Sequence, residues 1–169
     1  MTTAGGRTVT ALRPAAAVAA AALALAACSS PPAPAGHSGA AVPAVTVRAR
    51  SLPGAGTVLV TSSGYALYMF EPDARRQVTC TGLCAATWPP LKIAAGAGLS
   101  AGPGVRGALL GSDPDPAGGR VVTYDGWPLY LYIGDKKPGQ ATGQALDLNG
   151  GLWYVIAPSG KVVKTKSRS

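Results

Sequence analysis

The chain predicts an all-β fold: a pseudo-symmetric, two-repeat antiparallel β domain, sandwich- or barrel-like, preceded by a signal peptide and a disordered tether. Three observations carry this expectation. First, residues 57–93 and 120–164 read as two copies of one unit, a hairpin followed by a loop and a tryptophan-bearing strand. Second, the apolar residues of each hairpin alternate with period two, as strands require, and no stretch of 57–164 keeps a helical period over three turns. Third, every aromatic residue lies between Tyr65 and Tyr154. Large side chains make a core, so the folded part is there, roughly 110 residues and able to fold alone.

In chain order, residues 1–14 carry Arg7 and Arg13 and no acid, and 15–27 is an unbroken apolar run of 13 residues. Spanning a bilayer takes about 20 residues, so this run has the length of a signal-peptide core and not of a permanent span. It ends in Leu25-Ala26-Ala27-Cys28, followed by Ser29-Ser30-Pro31-Pro32. Small residues directly before a cysteine resemble the lipobox of bacterial lipoproteins. That resemblance implies a lipoprotein signal peptide over 1–27, cleavage before Cys28 and a lipid on Cys28. Two acyl chains on one residue suffice for stable anchoring. The expected location is the extracytoplasmic face of the cell membrane, with the membrane itself as first partner. The plainer reading is a secretory signal followed by an incidental cysteine.

Residues 28–56 are rich in Ala, Pro, Gly and Ser and have few large apolar residues before Val45-Thr46-Val47. Such a composition buries too little surface to offset chain entropy, so it reads as a disordered tether. His37, the single histidine, lies inside it. The formal charge is +8, from 15 Lys+Arg and 7 Asp+Glu; without Arg7 and Arg13 it is +6. The positive residues are scattered, apart from a run over 161–168, and no nucleic-acid motif accompanies them. Nucleic acid is therefore not an expected partner. The basic tail, 165–169, reads as a solvated end that grazes anionic lipid or wall polymer.

The first repeat, 57–93, opens with Thr57-Val58-Leu59-Val60-Thr61, a Ser62-Ser63-Gly64 turn, and Tyr65-Ala66-Leu67-Tyr68-Met69-Phe70. The second, 120–164, opens with Arg120-Val121-Val122-Thr123-Tyr124, an Asp125-Gly126 turn, and Trp127-Pro128-Leu129-Tyr130-Leu131-Tyr132. Gly64 matches Gly126, Leu67-Tyr68 matches Leu129-Tyr130, Phe70 matches Tyr132, and Asp73 matches Asp135. Trp88 and Trp153 head the closing strands. One face of each hairpin is aliphatic and the other aromatic. Between the repeats, 94–119 is rich in Gly, Ala and Pro and reads as a flexible linker. The loop 136–151 is long for a compact domain and reads as a surface flap or a functional loop.

Gly64-x-x-Leu67-Tyr68, Cys80-x-Gly82-x-Cys84-Ala85 and Trp88-Pro89-Pro90-Leu91 resemble the first half of the secreted-repeat lipoproteins of unknown function found in high-GC bacteria. Val122-Thr123-Tyr124-Asp125-Gly126-x-Pro128-Leu129-Tyr130, Gly134-Asp135-x-x-Pro138-Gly139 and Gly151-Leu152-Trp153-Tyr154 resemble the second half. The resemblance covers nearly all of 57–160 and implies no established reaction. The position before Pro128, often histidine in that pattern, is Trp127 here.

Four constellations could carry chemistry. With Cys28 lipidated, Cys80 and Cys84 remain in an oxidising compartment, and their even number argues for a disulfide. The Gly82-containing spacer can bring their Cα atoms within the required ~7 Å. The alternative is a redox-active pair, yet the spacing is not Cys-x-x-Cys and no His or Lys adjoins it. No metal is expected, because His37, Met69 and two cysteines do not make a closed site, and Asp113-Pro114-Asp115 reads as turn chemistry. No catalytic residue and no cofactor are expected, because the domain has no histidine to act as base, and Asp73 and Asp135 read as hairpin-ending residues before a paired-carboxylate site. Finally, Tyr68, Phe70, Trp127, Tyr130, Tyr132 and Trp153 could form a binding surface for a glycan or an envelope protein, against the alternative of packing between the copies. The expected function is a non-catalytic binding or interaction module of the cell envelope. The alternative is an accessory to extracytoplasmic redox, metal or haem handling through Cys80 and Cys84.

Overall fold

The computed structural model describes residues 42–165. The signal peptide, Cys28, His37, the first part of the tether and residues 166–169 lie outside the described residues. Among the described residues, ten short strands, one α-helical turn and one 3-10 turn follow one another. They are β1 Val45–Leu52, β2 Gly56–Thr61, β3 Tyr68–Phe70, α1 Leu83–Thr87, β4 Lys92–Ile93 and β5 Leu99–Ala101. After a tight turn at Gly107–Leu109 come β6 Leu110–Pro114, β7 Arg120–Tyr124, β8 Trp127–Pro128, β9 Leu146–Leu148 and β10 Gly151–Val155. The strands form three sheets, ordered β2-β1-β5, β3-β10-β9 and β4-β7-β6, with β8 beside β7. The pairings are antiparallel except β1 with β5. The fold is all-β with two repeats, and its sheets do not close into a barrel.

Both hairpins form where the sequence places them. In the first, Leu67 N–H donates to Leu59 O at 3.0 Å, and in the second Leu129 N–H donates to Val122 O at 2.9 Å. The second turns on Asp125 at φ 49° and Gly126 at φ 78°. Positive φ at both central residues is what a tight turn compatible with strand twist demands, and Asp-Gly is the pair that tolerates it.

The repeats are intertwined. The tyrosine strand of each pairs with the tryptophan strand of the other. Tyr68, Met69 and Phe70 oppose Val155, Tyr154 and Trp153. Equivalently, Tyr130 bridges Pro90, and Leu131 N–H donates to Pro89 O at 2.9 Å. The hairpins meet at the centre, where Tyr68 and Tyr130 exchange both backbone hydrogen bonds at 2.9 Å. Proline tolerates the second crossing because that strand borders no further partner needing its N–H.

Period-two alternation splits the interior into two layers. Ala66, Tyr68, Phe70, Tyr130, Trp88 and Trp153 fill one, with Cys80 among them. Leu59, Leu67, Met69, Val122, Leu129 and Ile156 fill the other. In the first layer Phe70, Trp153, Trp88 and Tyr132 make a continuous stack, with centroid separations of 4.2, 3.9 and 4.2 Å. Each outer ring comes from the repeat opposite the tryptophan it covers.

Two segment expectations change. The tether, expected to run through 56, gives way at residue 45 to strand β1, which pairs with β2 from Val47↔Thr61 to Leu52↔Gly56. The linker 94–119 contains β5 and β6, and β6 pairs with β7 from Leu110↔Tyr124 to Pro114↔Arg120. β1 and β6 occupy the same place in the two copies, so each repeat begins one strand earlier than its apolar pattern. β1 exposes Arg48, Arg50 and Ser51, and β6 is half-buried with Gly, Ser, Asp and Pro after Leu110, so neither carries the apolar run that betrays a strand.

Candidate functional site

Asp73 and Asp135 follow their tyrosine strands by the same interval and lie fully inside the protein, 0% and 6% exposed. Asp135 Oδ1 accepts the Thr142 N–H at 2.8 Å and the Thr142 hydroxyl at 2.6 Å, and Oδ2 accepts the Tyr68 hydroxyl at 2.7 Å. Asp73 Oδ1 accepts the Thr79 N–H at 2.8 Å and the Thr79 hydroxyl, and Oδ2 accepts the Tyr130 hydroxyl at 2.5 Å. The tyrosine in each case belongs to the other repeat. Two reciprocal Tyr–Asp–Thr locks therefore tie the copies together. A carboxylate can leave water when three donors replace hydration, and each aspartate has three.

Burial pushes both tyrosine hydroxyls far above the usual tyrosine range. The charge of Asp135 adds to this at Tyr68, and the hydrogen bond and charge of Asp73 add to it at Tyr130. Each hydroxyl therefore stays protonated and serves as a fixed donor. These groups hold the fold, although Asp135 also borders a hollow of about 250 Å³ lined by Tyr65, Pro89, Leu131 and Tyr132 among others. The expectation that Asp73 and Asp135 merely end hairpins through their own backbone is corrected in part: they do bond nearby threonines, and they also close the centre of the molecule.

The proposed aromatic surface is also corrected. Tyr68, Tyr130 and Trp153 are 0% exposed and Phe70 is buried, because alternation turns their face inward between the copies. Tyr132 and Trp127 are half-buried. Tyr132 stacks on Trp88, and Arg75 lies over the Trp127 ring at 5.8 Å.

Cys80 and Cys84 form a disulfide with Cα atoms 5.2 Å apart. Cys80 occupies the place of Gly143 in the second copy. Gly143 N–H donates to the Tyr68 hydroxyl at 3.2 Å, and the Cys80 N–H faces the Tyr130 hydroxyl. A Cβ at Gly143 would come within 2.7 Å of the Trp88 ring, so no side chain fits there. The loop 136–151 is packed through this glycine and through Gln144, whose Oε1 accepts the buried Val155 N–H at 2.8 Å. Gln144 Nε2 also donates to Val163 O at 2.6 Å.

The surface carries a hollow beside each hairpin turn. One, of about 270 Å³, is lined by Arg48, Arg50, Thr61 and Gly64 among others. Its counterpart, of about 460 Å³, is lined by Arg75, Arg76, Ser112, Asp113, Thr123 and Gly126 among others. Asp113 is 9% exposed, and its Oδ2 is buried with no hydrogen-bond partner. Asp113-Pro114-Asp115, expected to be turn chemistry throughout, divides here. Asp115 makes the turn, accepting the Ala117 N–H at 2.8 Å, and pairs with Lys92 at 2.9 Å. Asp113 lies on β6 and faces the hollow. Sequence reasoning assigned this residue to a turn because β6 itself went unseen. It also missed Thr79 and Thr142, whose only signal is their similar distance, six and seven residues, beyond Asp73 and Asp135.

Comparison with known proteins adds one finding. The family described as a secreted repeat of unknown function matches the chain twice, over 52–92 and 113–157, together about half of it. Each match contains one lock tyrosine, one lock aspartate and one tryptophan strand. No curated protein and no solved structure matches.

Proposed function

This chain belongs to the family of secreted repeats of unknown function, and from that premise we propose that its domain is a non-catalytic binding module of the cell envelope, held at the membrane by a lipid on Cys28. A secreted-repeat family points to an extracytoplasmic location. The lipid is supported by the apolar run ending in Leu25-Ala26-Ala27-Cys28. The partner is an envelope protein or glycan.

One observation carries the reading. The two carboxylates best placed by sequence for acid–base work each hold three hydrogen bonds inside the core, Asp73 from Thr79 and Tyr130, Asp135 from Thr142 and Tyr68. A general acid or base must exchange a proton with a substrate it can touch. These groups instead spend their hydrogen bonds bracing a scaffold that opens hollows beside both hairpin turns and a third, mostly apolar one beside Asp135.

The Cys28→Ala chain tests both halves. It leaves the membrane fraction for the medium if Cys28 carries the anchor; continued membrane association overturns the anchor. Added back to isolated, lipid-extracted envelopes, the released chain is retained saturably and is displaced by excess unlabelled chain. Retention that never saturates overturns the binding module.

A further inference from the structure

We propose that the hollow beside the Asp125-Gly126 turn is a binding site for a small zwitterion, of the class of a free amino acid, held between Asp113 and Arg76. The inference deepens the binding-module reading and rests on it. The hollow, about 460 Å³, is large enough for such a molecule with water around it.

The argument is one of unmatched charge. Asp113 is 9% exposed, and its Oδ2 is buried without a donor. A carboxylate oxygen removed from water needs donors, and an ammonium group brings up to three. The neighbouring cations are engaged elsewhere: Arg106 bonds Pro158 O and Ser159 O, Arg120 bonds Ser112, and Lys92 pairs with Asp115 at 2.9 Å. Arg76 lines the same hollow and is exposed, and among the described residues its guanidinium pairs with no carboxylate. Arg75 beside it is engaged, bonded to Asp125 at 3.1 Å and lying over Trp127. Among the described residues that line the hollow, Asp113 and Arg76 are thus a carboxylate and a guanidinium without a charged partner, beside the paired Arg75 and Asp125. A ligand with a single charge leaves the other group unmatched, whereas a zwitterion answers both.

The arrangement is not a by-product of the repeated scaffold. The equivalent hollow beside Gly64 carries Arg48 and Arg50 and no carboxylate. Arg76 is held in place from its backbone, which adopts φ 67° and donates its N–H to Gly126 O at 2.8 Å. In the first repeat's hollow the corresponding bond to Gly64 O comes from Gly139, which brings no side chain. A carboxylate and an arginine anchored on the turn glycine are therefore found together at the Gly126 hollow and not at the Gly64 hollow.

The test titrates the full chain in detergent with alanine, alanine methyl ester, N-acetylalanine and glucose, followed by a wider panel of amino acids. Saturable binding of a free amino acid is expected, with its ester and N-acetyl forms at least about tenfold weaker and glucose not bound. Arg76→Gln and Asp113→Asn should each weaken binding about ten- to a hundredfold. Arg76 is exposed, so its variant keeps the test decisive even where Asp113→Asn fails to fold. Equal affinity for free and blocked amino acids, binding indifferent to Arg76→Gln, or no saturable binding of any amino acid overturns the proposal. Envelope retention is scored separately. A chain that is retained on envelopes but takes no zwitterion loses this inference and keeps the binding-module reading.

Discussion

Asp73 and Asp135 receive the same three hydrogen bonds from the same residue types, while the hollows beside Gly64 and Gly126 differ in size, charge and backbone partner. The two copies agree in their locks and aromatic stack and diverge at their surface hollows. The interior has no choice, because each copy completes the other's lock and each outer ring of the aromatic stack covers the other's tryptophan. A change in one copy breaks a bond in both. The surface is under no such coupling, so an arginine and an aspartate could be placed at one turn without touching the other. The difference separates what holds the protein together from what it can offer to a partner.

The largest expected effect tests the interior equivalence by pH. Both lock hydroxyls titrate far above the usual tyrosine value, burial being the main cause. Above about pH 10 the unfolded chain has released these protons and the folded chain has not. Their contribution is therefore complete below about pH 10 and is lost as pH rises towards the folded values. The slope is about 1.4 kcal/mol per pH unit for each tyrosine, hence a loss of about 5 kcal/mol by pH 12 for the pair. Urea unfolding between pH 9 and 12 measures it. Tyr68→Phe and Tyr130→Phe should each halve the slope, and a flat profile in the unaltered protein would break the idea that the locks are closed.

Removal of one acceptor comes next. Asp73→Ala orphans the Tyr130 hydroxyl and both Thr79 donors; Asp135→Ala orphans the Tyr68 hydroxyl and both Thr142 donors. Each should cost on the order of 2–4 kcal/mol, because a buried tyrosine hydroxyl loses its charged acceptor, while the exposed threonine donors can turn to water. The two values should agree within about 1 kcal/mol if the copies are energetically equivalent. A larger gap, read from denaturation midpoints, would show that one lock carries the fold.

Much of this interior was legible in the residues. Alternation in Tyr65-Ala66-Leu67-Tyr68-Met69-Phe70 names both core layers, and Asp125-Gly126 names its own turn. The repeat itself pairs Asp73 with Asp135. What could not be read was partnership across the axis: a doubled motif is equally consistent with each copy folding on itself, and only the exchange between Tyr68 and Tyr130 selects the crossed arrangement. β1 and β6 were hidden for a different reason. Arg48, Arg50 and Ser51 on one, and Gly111 and Ser112 on the other, supply no apolar pattern, so their strand state comes from pairing with β2 and β7 and not from local preference. The hollow at Asp113 was lost with β6.

The smallest expected effect concerns how each lock is backed, where the copies use different means. Behind Tyr130 the loop is closed by the Cys80–Cys84 disulfide; behind Tyr68 it is closed by Gln144, which bonds Val155 and the main chain at Val163 and Thr165. A disulfide closing so short a ring removes little freedom from the unfolded chain, at most about 2 kcal/mol. Gln144→Ala leaves the buried Val155 N–H without an acceptor and frees two carbonyls, about 1–3 kcal/mol. The covalent link and the hydrogen-bonded plug should therefore stabilise to similar extents. Denaturation of the reduced protein, of Gln144→Ala, and of Gln144→Ala reduced gives the comparison. The losses should add to within about 0.5 kcal/mol if the two loops act independently. A combined loss well above the sum would mean that each loop supports the other through the Trp88–Trp153 stack lying between them, and the two backings would then be one device.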